Sequence, residues 1–317
     1  MSIEEAIQER ILILDGAMGT MIQSYQLEEQ DFRGEIFKNI DFQMKGNNDI
    51  LSLTRPNVIE DIHRRYLEAG ADIITTNTFS SQRISMADYH CEDYCDEINR
   101  AAARTALGVA RQYSAKTPAK PRFVVASIGP TNKTASISPD VNNPALRDVT
   151  YDQLAQAYYD QMRILVEEGI DGLLIETIFD TLNAKAAIWA AEEVMATLGK
   201  KVPIMLSATV SDKAGRTLSG QRLDAFIASV SHADIFSIGL NCSFGPEEIK
   251  PFLEELSHKA PYYISVHPNA GLPNAMGKYD VTPEQMKKQM ETFVNEGLVK
   301  IRGGCCGTTD AFIAQYQ

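Results

Sequence analysis

The sequence predicts one α/β domain folded as a (β/α)8 barrel, the TIM barrel, over residues 1–317. Three observations lead to this fold: eight short runs rich in β-forming residues, segments with helical spacing between them, and a length of 317 residues. Strand runs that alternate with helices indicate a parallel sheet. The alternative arrangement of the same elements is an open, doubly wound sheet.

The predicted strands are short runs of mostly apolar and β-branched residues. They cover residues 11–15, 72–76, 123–127, 172–176, 204–208, 236–241, 263–266 and 298–301. Eight such runs in a chain of this length most naturally close into a barrel.

The clearest predicted helix follows the third run. One face of it carries Leu154, Tyr158, Met162, Leu165 and Val166, as packing against a sheet requires. Thr150 and Gln153 form the signature of a capping box at its start. Thr282 and Gln285 repeat that signature, with Pro283 at the first helical position.

Three long segments follow predicted strands, at residues 16–55, 129–144 and 267–279. Long loops within a compact domain are usually functional. In a barrel all three would lie at the carboxyl ends of the strands, where such enzymes place their chemistry.

Composition narrows the class of partner. A formal net charge of −12 argues against nucleic acid or an anionic membrane as a partner. The N-terminal residues lack a basic head followed by an apolar run, so we do not expect them to act as a signal peptide, and no apolar stretch approaches the roughly 18 residues that span a bilayer. Five cysteines, two of them adjacent, make a poor disulfide framework, so we expect a cytoplasmic protein.

The most informative residues are three cysteines at two predicted strand ends. Cys242 closes the sixth run, and Cys305 and Cys306 follow the eighth between glycines. Two adjacent thiols can serve one ligand only if the backbone turns there, which the glycines permit. Three thiolates suit a zinc site with an open fourth position, although buried cysteines are also common in cores. Packing is the predicted role of Cys91 and Cys95.

Polar residues at other strand ends predict a substrate site on the same face. Asp15 and Glu176 end the first and fourth runs and could bind a substrate ammonium group. Backbone N–H groups of Gly16 and Ala17 could receive a carboxylate. His267 is expected to be structural. Further candidates for the lining are Asn77, Thr78, Phe79, Asn241 and Asn269.

Three motifs carry a resemblance to a known family. They are Asp-Gly-Ala-Met-Gly-Thr from residue 15, Gly-Leu-Asn-Cys ending at residue 242, and Gly-Gly-Cys-Cys-Gly-Thr-Thr from residue 303. Together they resemble the homocysteine S-methyltransferase family. Segments 131–140, 176–185 and 267–274 resemble in particular the N-terminal homocysteine-binding module of cobalamin-dependent methionine synthases.

The resemblance implies a site and a reaction. Cys242, Cys305 and Cys306 would bind Zn²⁺, and the sulfur of homocysteine would become its fourth ligand. Asp15 and Glu176 would contact the amino-acid end of the substrate. Asn269 would be the ligand that the substrate displaces. The activated thiolate would then accept the methyl group of methylcobalamin held by another module, forming methionine.

Two departures from the family bear on these expectations. Ala17 stands where many relatives have a second glycine. The cobalamin-binding motif Asp-x-His-x-x-Gly and a second, folate-binding barrel are absent from the sequence. We therefore expect one module of a longer enzyme, or a subunit supplied by separate cobalamin- and folate-binding modules. The alternatives are a stand-alone enzyme that uses S-methylmethionine or betaine, and a non-catalytic, zinc-stabilised docking module.

Overall fold

The computed structural model describes all 317 residues and contains eight parallel strands. These are β1 (Leu12–Ile13), β2 (Ile73–Thr75), β3 (Phe123–Ile128), β4 (Gly172–Ile178), β5 (Ile204–Ala208), β6 (Ser237–Asn241), β7 (Tyr263–His267) and β8 (Ile301–Arg302). They pair in the order β1-β8-β7-β6-β5-β4-β3-β2, and a parallel bridge from Leu14 to Ile73 joins β1 to β2. The ring of strands confirms the predicted (β/α)8 barrel, and the open-sheet alternative is wrong.

Thirteen α-helices accompany the strands. They are α1 (Ile3–Glu9), α2 (Met18–Gln23), α3 (Glu29–Arg33), α4 (Leu51–Thr54), α5 (Pro56–Glu68), α6 (Arg83–Met86), α7 (Cys95–Lys116), α8 (Tyr151–Glu168), α9 (Thr181–Leu198), α10 (Leu223–Val230), α11 (Pro246–Lys259), α12 (Pro283–Asn295) and α13 (Asp310–Ile313). Both predicted capping boxes are present, at the starts of α8 and α12. None of the helices has the length and apolar character needed to cross a bilayer.

The first helix closes the amino-terminal end of the barrel. Ile3 and Ile7 of α1 belong to a cluster of eleven buried residues that includes Leu12, Phe123 and Leu174 from the strands. Because one face of α1 is buried against these strand residues, the amino-terminal end is filled with apolar side chains. The open end of the barrel is therefore the carboxyl-terminal one.

The eighth strand lies further along the chain than predicted. The apolar run at 298–301 shares only Ile301 with β8. Gly297 has a φ of +69°, and the Leu298 N–H bonds back to the Phe293 carbonyl at 2.9 Å, so these residues terminate α12. Leu298 and Val299 are buried without being in the strand. The apolar side chains of these residues reflect their burial in the core and not pairing of their backbone with a neighbouring strand.

The segment at 16–55 is not a single loop. It contains α2, α3 and α4 together with a short 3-10 turn at Asn48–Ile50. The Asp49 carboxylate accepts hydrogen bonds from the Ser80 N–H and the Ser81 hydroxyl, at 2.8 and 2.6 Å. The segment after β1 is thereby fastened to the segment after β2, and both form part of the barrel mouth.

Candidate metal and substrate site

A cavity of about 750 Å³ opens at the carboxyl-terminal end of the barrel. Its walls come from residues that end or follow β1, β2, β3, β4, β6, β7 and β8. Ten of the twelve residues predicted for the site line it: Asp15, Gly16, Ala17, Asn77, Thr78, Phe79, Glu176, Cys242, Cys305 and Cys306. They share one cavity because the closed barrel brings distant strand ends together.

The three predicted cysteines meet at one side of this cavity. Their sulfur atoms all lie within 4.8 Å of one another. Cys242 and Cys305 have Cα atoms 5.7 Å apart and their sulfurs are in disulfide contact, whereas Cys306 is free and exposed. The predicted convergence of these thiols is observed, because the turns after β6 and β8 bring both side chains to the same point.

Backbone contacts fix the two cysteine-bearing turns. The Cys242 N–H donates to the His267 carbonyl at 3.3 Å, and the Cys305 N–H donates to the Pro268 carbonyl at 2.8 Å. A Cβ atom on Gly303 would lie 2.8 Å from the Asp15 carbonyl, so only glycine fits there. Gly307 has a φ of +83°. Close packing at Gly303 and a left-handed turn at Gly307 thus account for the glycines around the cysteine pair.

The cysteine cluster suits zinc. Zn²⁺ binds thiolates at about 2.3 Å, which places the sulfurs of a tetrahedral site roughly 3.8 Å apart. Three sulfurs within 4.8 Å can reach that spacing with small side-chain movements once Cys242 and Cys305 are reduced. Sulfur donors at a cavity wall, with one exposed member, fit a metal that a substrate atom could also reach.

Asp15 is buried, with 3% of its surface exposed. Its carboxylate accepts hydrogen bonds from the Thr75 N–H at 2.8 Å and from the Thr75 hydroxyl at 3.1 Å. Burial raises the pKa of Asp15 from 3.8 to about 8, the hydrogen bonds from Thr75 oppose the rise, and the nearby Glu176 carboxylate adds to it. A cationic ligand beside Asp15 would favour the ionised form.

Replacing Asp15 with asparagine should make the stability of the protein less sensitive to pH. Between its unfolded pKa of 3.8 and its folded pKa of about 8, Asp15 keeps a proton in the folded state and loses it in the unfolded state. Stability therefore falls as pH rises through this window, and asparagine cannot contribute to the fall. Thermal unfolding of the reduced, metal-free protein from pH 4 to pH 9 would measure the difference. The exposed Asp41→Asn variant is the control, and equal slopes for Asp15→Asn and wild type would contradict the expectation.

Glu176 lies on β4 and has its own partners. The Ser127 hydroxyl donates to one carboxylate oxygen, and the other lies 3.4 Å from His267 Nε2. His267 is 3% exposed and also lines the cavity, so it belongs to the site rather than to the surrounding structure alone. Sequence reasoning missed Ser127 and set His267 aside. Their positions near the ends of the third and seventh runs were the available signal.

Two other residues predicted to contact substrate, Ala17 and Thr78, make hydrogen bonds to other groups of the protein. The Ala17 N–H donates to the Thr308 hydroxyl at 3.3 Å. The Thr78 hydroxyl donates to the Ser127 carbonyl at 2.8 Å. Phe79 is 37% exposed and presents an aromatic surface at the mouth. Gly16 lies at the wall without room for a side chain, since a Cβ atom there would lie 2.8 Å from the Tyr66 hydroxyl.

Two residues predicted to line the cavity do not. Asn241 is 1% exposed, and both ends of its side-chain amide bond to protein atoms. Asn269 is also buried, at 7% exposure, and its Oδ1 has no hydrogen-bond partner in the protein. Asn241 ends β6, and it is the following residue, Cys242, that lines the cavity.

The remaining two cysteines are buried and free, consistent with packing. Burial raises the pKa of Cys91 to about 11 and that of Cys95 to about 12. Thiols with such values stay protonated at neutral pH and make poor metal ligands.

Comparison with known proteins identifies the family. A model of the homocysteine S-methyltransferase family matches residues 12–317. The chain belongs to the homocysteine S-methyltransferase family. Membership supports a methyltransferase that acts on homocysteine, and it does not distinguish the methionine synthase type from other members. The family is zinc-dependent in general, and the three-cysteine cluster supplies a ligand set for the metal.

Solved structures share the fold. The metallated form of the homocysteine methyltransferase MmuM from Escherichia coli superposes with a TM-score of 0.75 at 20% identity, covering 96% of this chain and 95% of that one. Its oxidized form gives the same TM-score and identity, and covers 96% and 94%. The apo form gives a TM-score of 0.70 at 19% identity, with the same coverage as the oxidized form.

Proposed function

We propose that the protein methylates homocysteine bound between a zinc ion and two carboxylates. Cys242, Cys305 and Cys306 hold the metal, and Asp15 and Glu176 bind the substrate ammonium group. The observation that carries the proposal is the placement of all five side chains on the wall of one cavity. Carboxylates attract an ammonium group and a metal bound by thiolates attracts a further sulfur, so homocysteine satisfies both ends of the site.

Each group has a distinct task. When bound, Zn²⁺ would keep the substrate thiol ionised at neutral pH, whereas a free thiol has a pKa of about 8.5. Glu176 pairs with the ammonium group, the Ser127 hydroxyl orients its carboxylate, and His267 Nε2 lies 3.4 Å from the second carboxylate oxygen. Thr75 holds Asp15 on the other side. The wall at Gly16 and Ala17 remains the proposed place for the substrate carboxylate, which would replace the Thr308 hydroxyl as the acceptor for the Ala17 N–H. Asn269 remains the proposed ligand that substrate displaces, and its Oδ1 has no other partner in the protein.

The methyl donor is proposed to be methylcobalamin. In this scheme residues 1–317 form one module, and cobalamin- and folate-binding modules belong to the same chain or to separate ones. The sequence resemblance to methionine synthases supports this donor. A stand-alone enzyme that uses S-methylmethionine or betaine is equally consistent with the match to MmuM, which covers 95% of that chain.

Zinc and homocysteine can be tested together by X-ray absorption at the zinc edge. The reduced, zinc-loaded protein should bind one ion with three sulfur neighbours and one lighter atom. Homocysteine should raise the sulfur count to four. An unchanged coordination shell would contradict the proposal and would favour a non-catalytic module with a closed metal site.

Turnover assays separate the donors. The purified chain would be mixed with homocysteine and, in turn, free methylcobalamin, S-methylmethionine or betaine. Methionine formation with methylcobalamin alone supports the proposed donor. Formation with either of the other two identifies the stand-alone alternative.

A further inference from the structure

Three residues in or beside the proposed site hold an unusual backbone conformation. Thr177, directly after Glu176, has a φ of +55°, and Cys242 and Ser243 have φ values of +58° and +60°. A left-handed backbone is unfavourable for residues other than glycine, and most of all for β-branched residues such as threonine. Such a conformation persists only where surrounding contacts hold it in place.

Asn241 supplies those contacts at Thr177. Its Oδ1 accepts a hydrogen bond from the Thr177 N–H at 3.0 Å, and its Nδ2 donates to the Thr177 hydroxyl at 2.9 Å. The same Oδ1 accepts from the Ser207 hydroxyl at 2.7 Å. One buried side chain on β6 therefore fixes the backbone at the end of β4, with a further contact to β5.

This contact links strands that are not neighbours. β5 lies between β4 and β6 in the sheet, so no ladder hydrogen bonds join the ends of β4 and β6 directly. Asn241 also precedes Cys242 in the chain, and the Asn241 carbonyl accepts from the Thr209 hydroxyl at 3.1 Å. Displacing its amide would move Glu176 relative to the Cys242 sulfur.

We propose that Asn241 is a positioning residue that sets the spacing between the Glu176 carboxylate and the Cys242 sulfur, and thereby selects homocysteine over shorter amino-acid thiols. The inference rests on the proposed function, which assigns the substrate ammonium to Glu176 and the metal to Cys242. Homocysteine carries its ammonium and thiol at the two ends of a short carbon chain. A site with fixed spacing therefore distinguishes it from cysteine, which is one methylene shorter.

The test replaces Asn241 with alanine and measures binding by calorimetry. We expect the Kd for homocysteine to rise about 10- to 100-fold, the range for removing a buried polar partner. The Kd for cysteine should change less, so the ratio of the Kd for cysteine to the Kd for homocysteine should fall. Zinc content should stay at one ion per chain, since all three cysteines remain. In a matched control, Asn99→Ala removes another amide that is 1% exposed and bonded to backbone carbonyls, and it should leave homocysteine binding unchanged.

A second substitution tests the route through Thr177. Asparagine adopts the left-handed conformation more readily than threonine. Adding Thr177→Asn to Asn241→Ala should therefore restore part of the lost homocysteine affinity. Loss of packing alone predicts no such recovery. If Asn241→Ala does not fold, Ser207→Ala removes one bond to Asn241 and should shift selectivity in the same direction by a smaller factor.

The outcomes separate this inference from the function on which it rests. A wild-type protein that binds zinc but not homocysteine refutes the proposed function. Wild-type binding of homocysteine, with unchanged affinity and selectivity in Asn241→Ala, overturns the positioning role alone. Equal losses in Asn241→Ala and Asn99→Ala overturn it as well.

Discussion

Replacing Cys306 with alanine should abolish zinc retention and reduce methyl transfer to homocysteine by more than about 100-fold. Changes to residues that merely support metal ligands already cost about 10- to 100-fold, so loss of a ligand should cost more. Cys306 is the exposed member of the cluster, and its removal leaves only Cys242 and Cys305. Metal analysis after dialysis, together with a turnover assay, measures both effects.

Cys95→Ala is the matched control for this experiment. Cys95 is a buried, free cysteine on α7, and we infer that it takes no part in the metal cluster. Its replacement should leave zinc content at the wild-type level. A Cys306→Ala protein that keeps one zinc ion per chain and the wild-type activity would refute the assignment of Cys306 as a ligand.

Replacing Glu176 with glutamine should raise the KM for homocysteine about 10- to 100-fold. A hydrogen bond to a charged group contributes roughly 1.5–3 kcal/mol, and each 1.4 kcal/mol is about a factor of ten. Glutamine keeps the shape of the side chain but removes the charge that pairs with the substrate ammonium. Zinc content should not change, because Glu176 is not among the clustered ligand atoms.

The substrate analogue without an ammonium group, 4-mercaptobutyrate, makes the test specific. Wild-type protein should bind it more weakly than homocysteine. Glu176→Gln should reduce this preference, because Asp15 alone then pairs with the ammonium group. Glu168→Gln provides the control: Glu168 is buried to a similar extent but pairs with Arg100 and Arg104 on the outer surface of the barrel. If Glu176→Gln kept the wild-type preference for homocysteine, the ammonium would bind elsewhere.

Much of the fold was predictable because local patterns and tertiary structure agree. Seven of the eight predicted runs contain the observed strands or most of them, and β5 matches at both ends. Helix starts at Thr150 and Thr282 were visible because the capping residues lie three positions from their partners. The run at 298–301 misled because burial of Leu298 and Val299 produces the same apolar pattern as a strand.

The candidate site was predictable to the extent that its residues stand at strand ends. Cys242, Cys305 and Cys306 were recognisable from the glycine-flanked pair and from their positions at the ends of the sixth and eighth predicted strands. Asp15 and Glu176 were recognisable as carboxyl groups directly after apolar runs. The disulfide contact between Cys242 and Cys305 was not predictable, since it depends on the relative rotation of two turns that are 63 residues apart.

The sequence by itself determined the class of fold, the family motifs and the identity of the groups that reach the barrel mouth. Those properties depend on residue type and on spacing over a few positions. Only the tertiary structure decided which side chains face the cavity and which buried side chains support the cavity wall. Asn241 turned from a lining candidate into a buried support for Thr177, 64 residues away, and His267 moved into the site beside Glu176. Hydrogen bonds between residues on distant strands depend on how the strands pair when the barrel closes, and the sequence near each residue does not reveal that pairing.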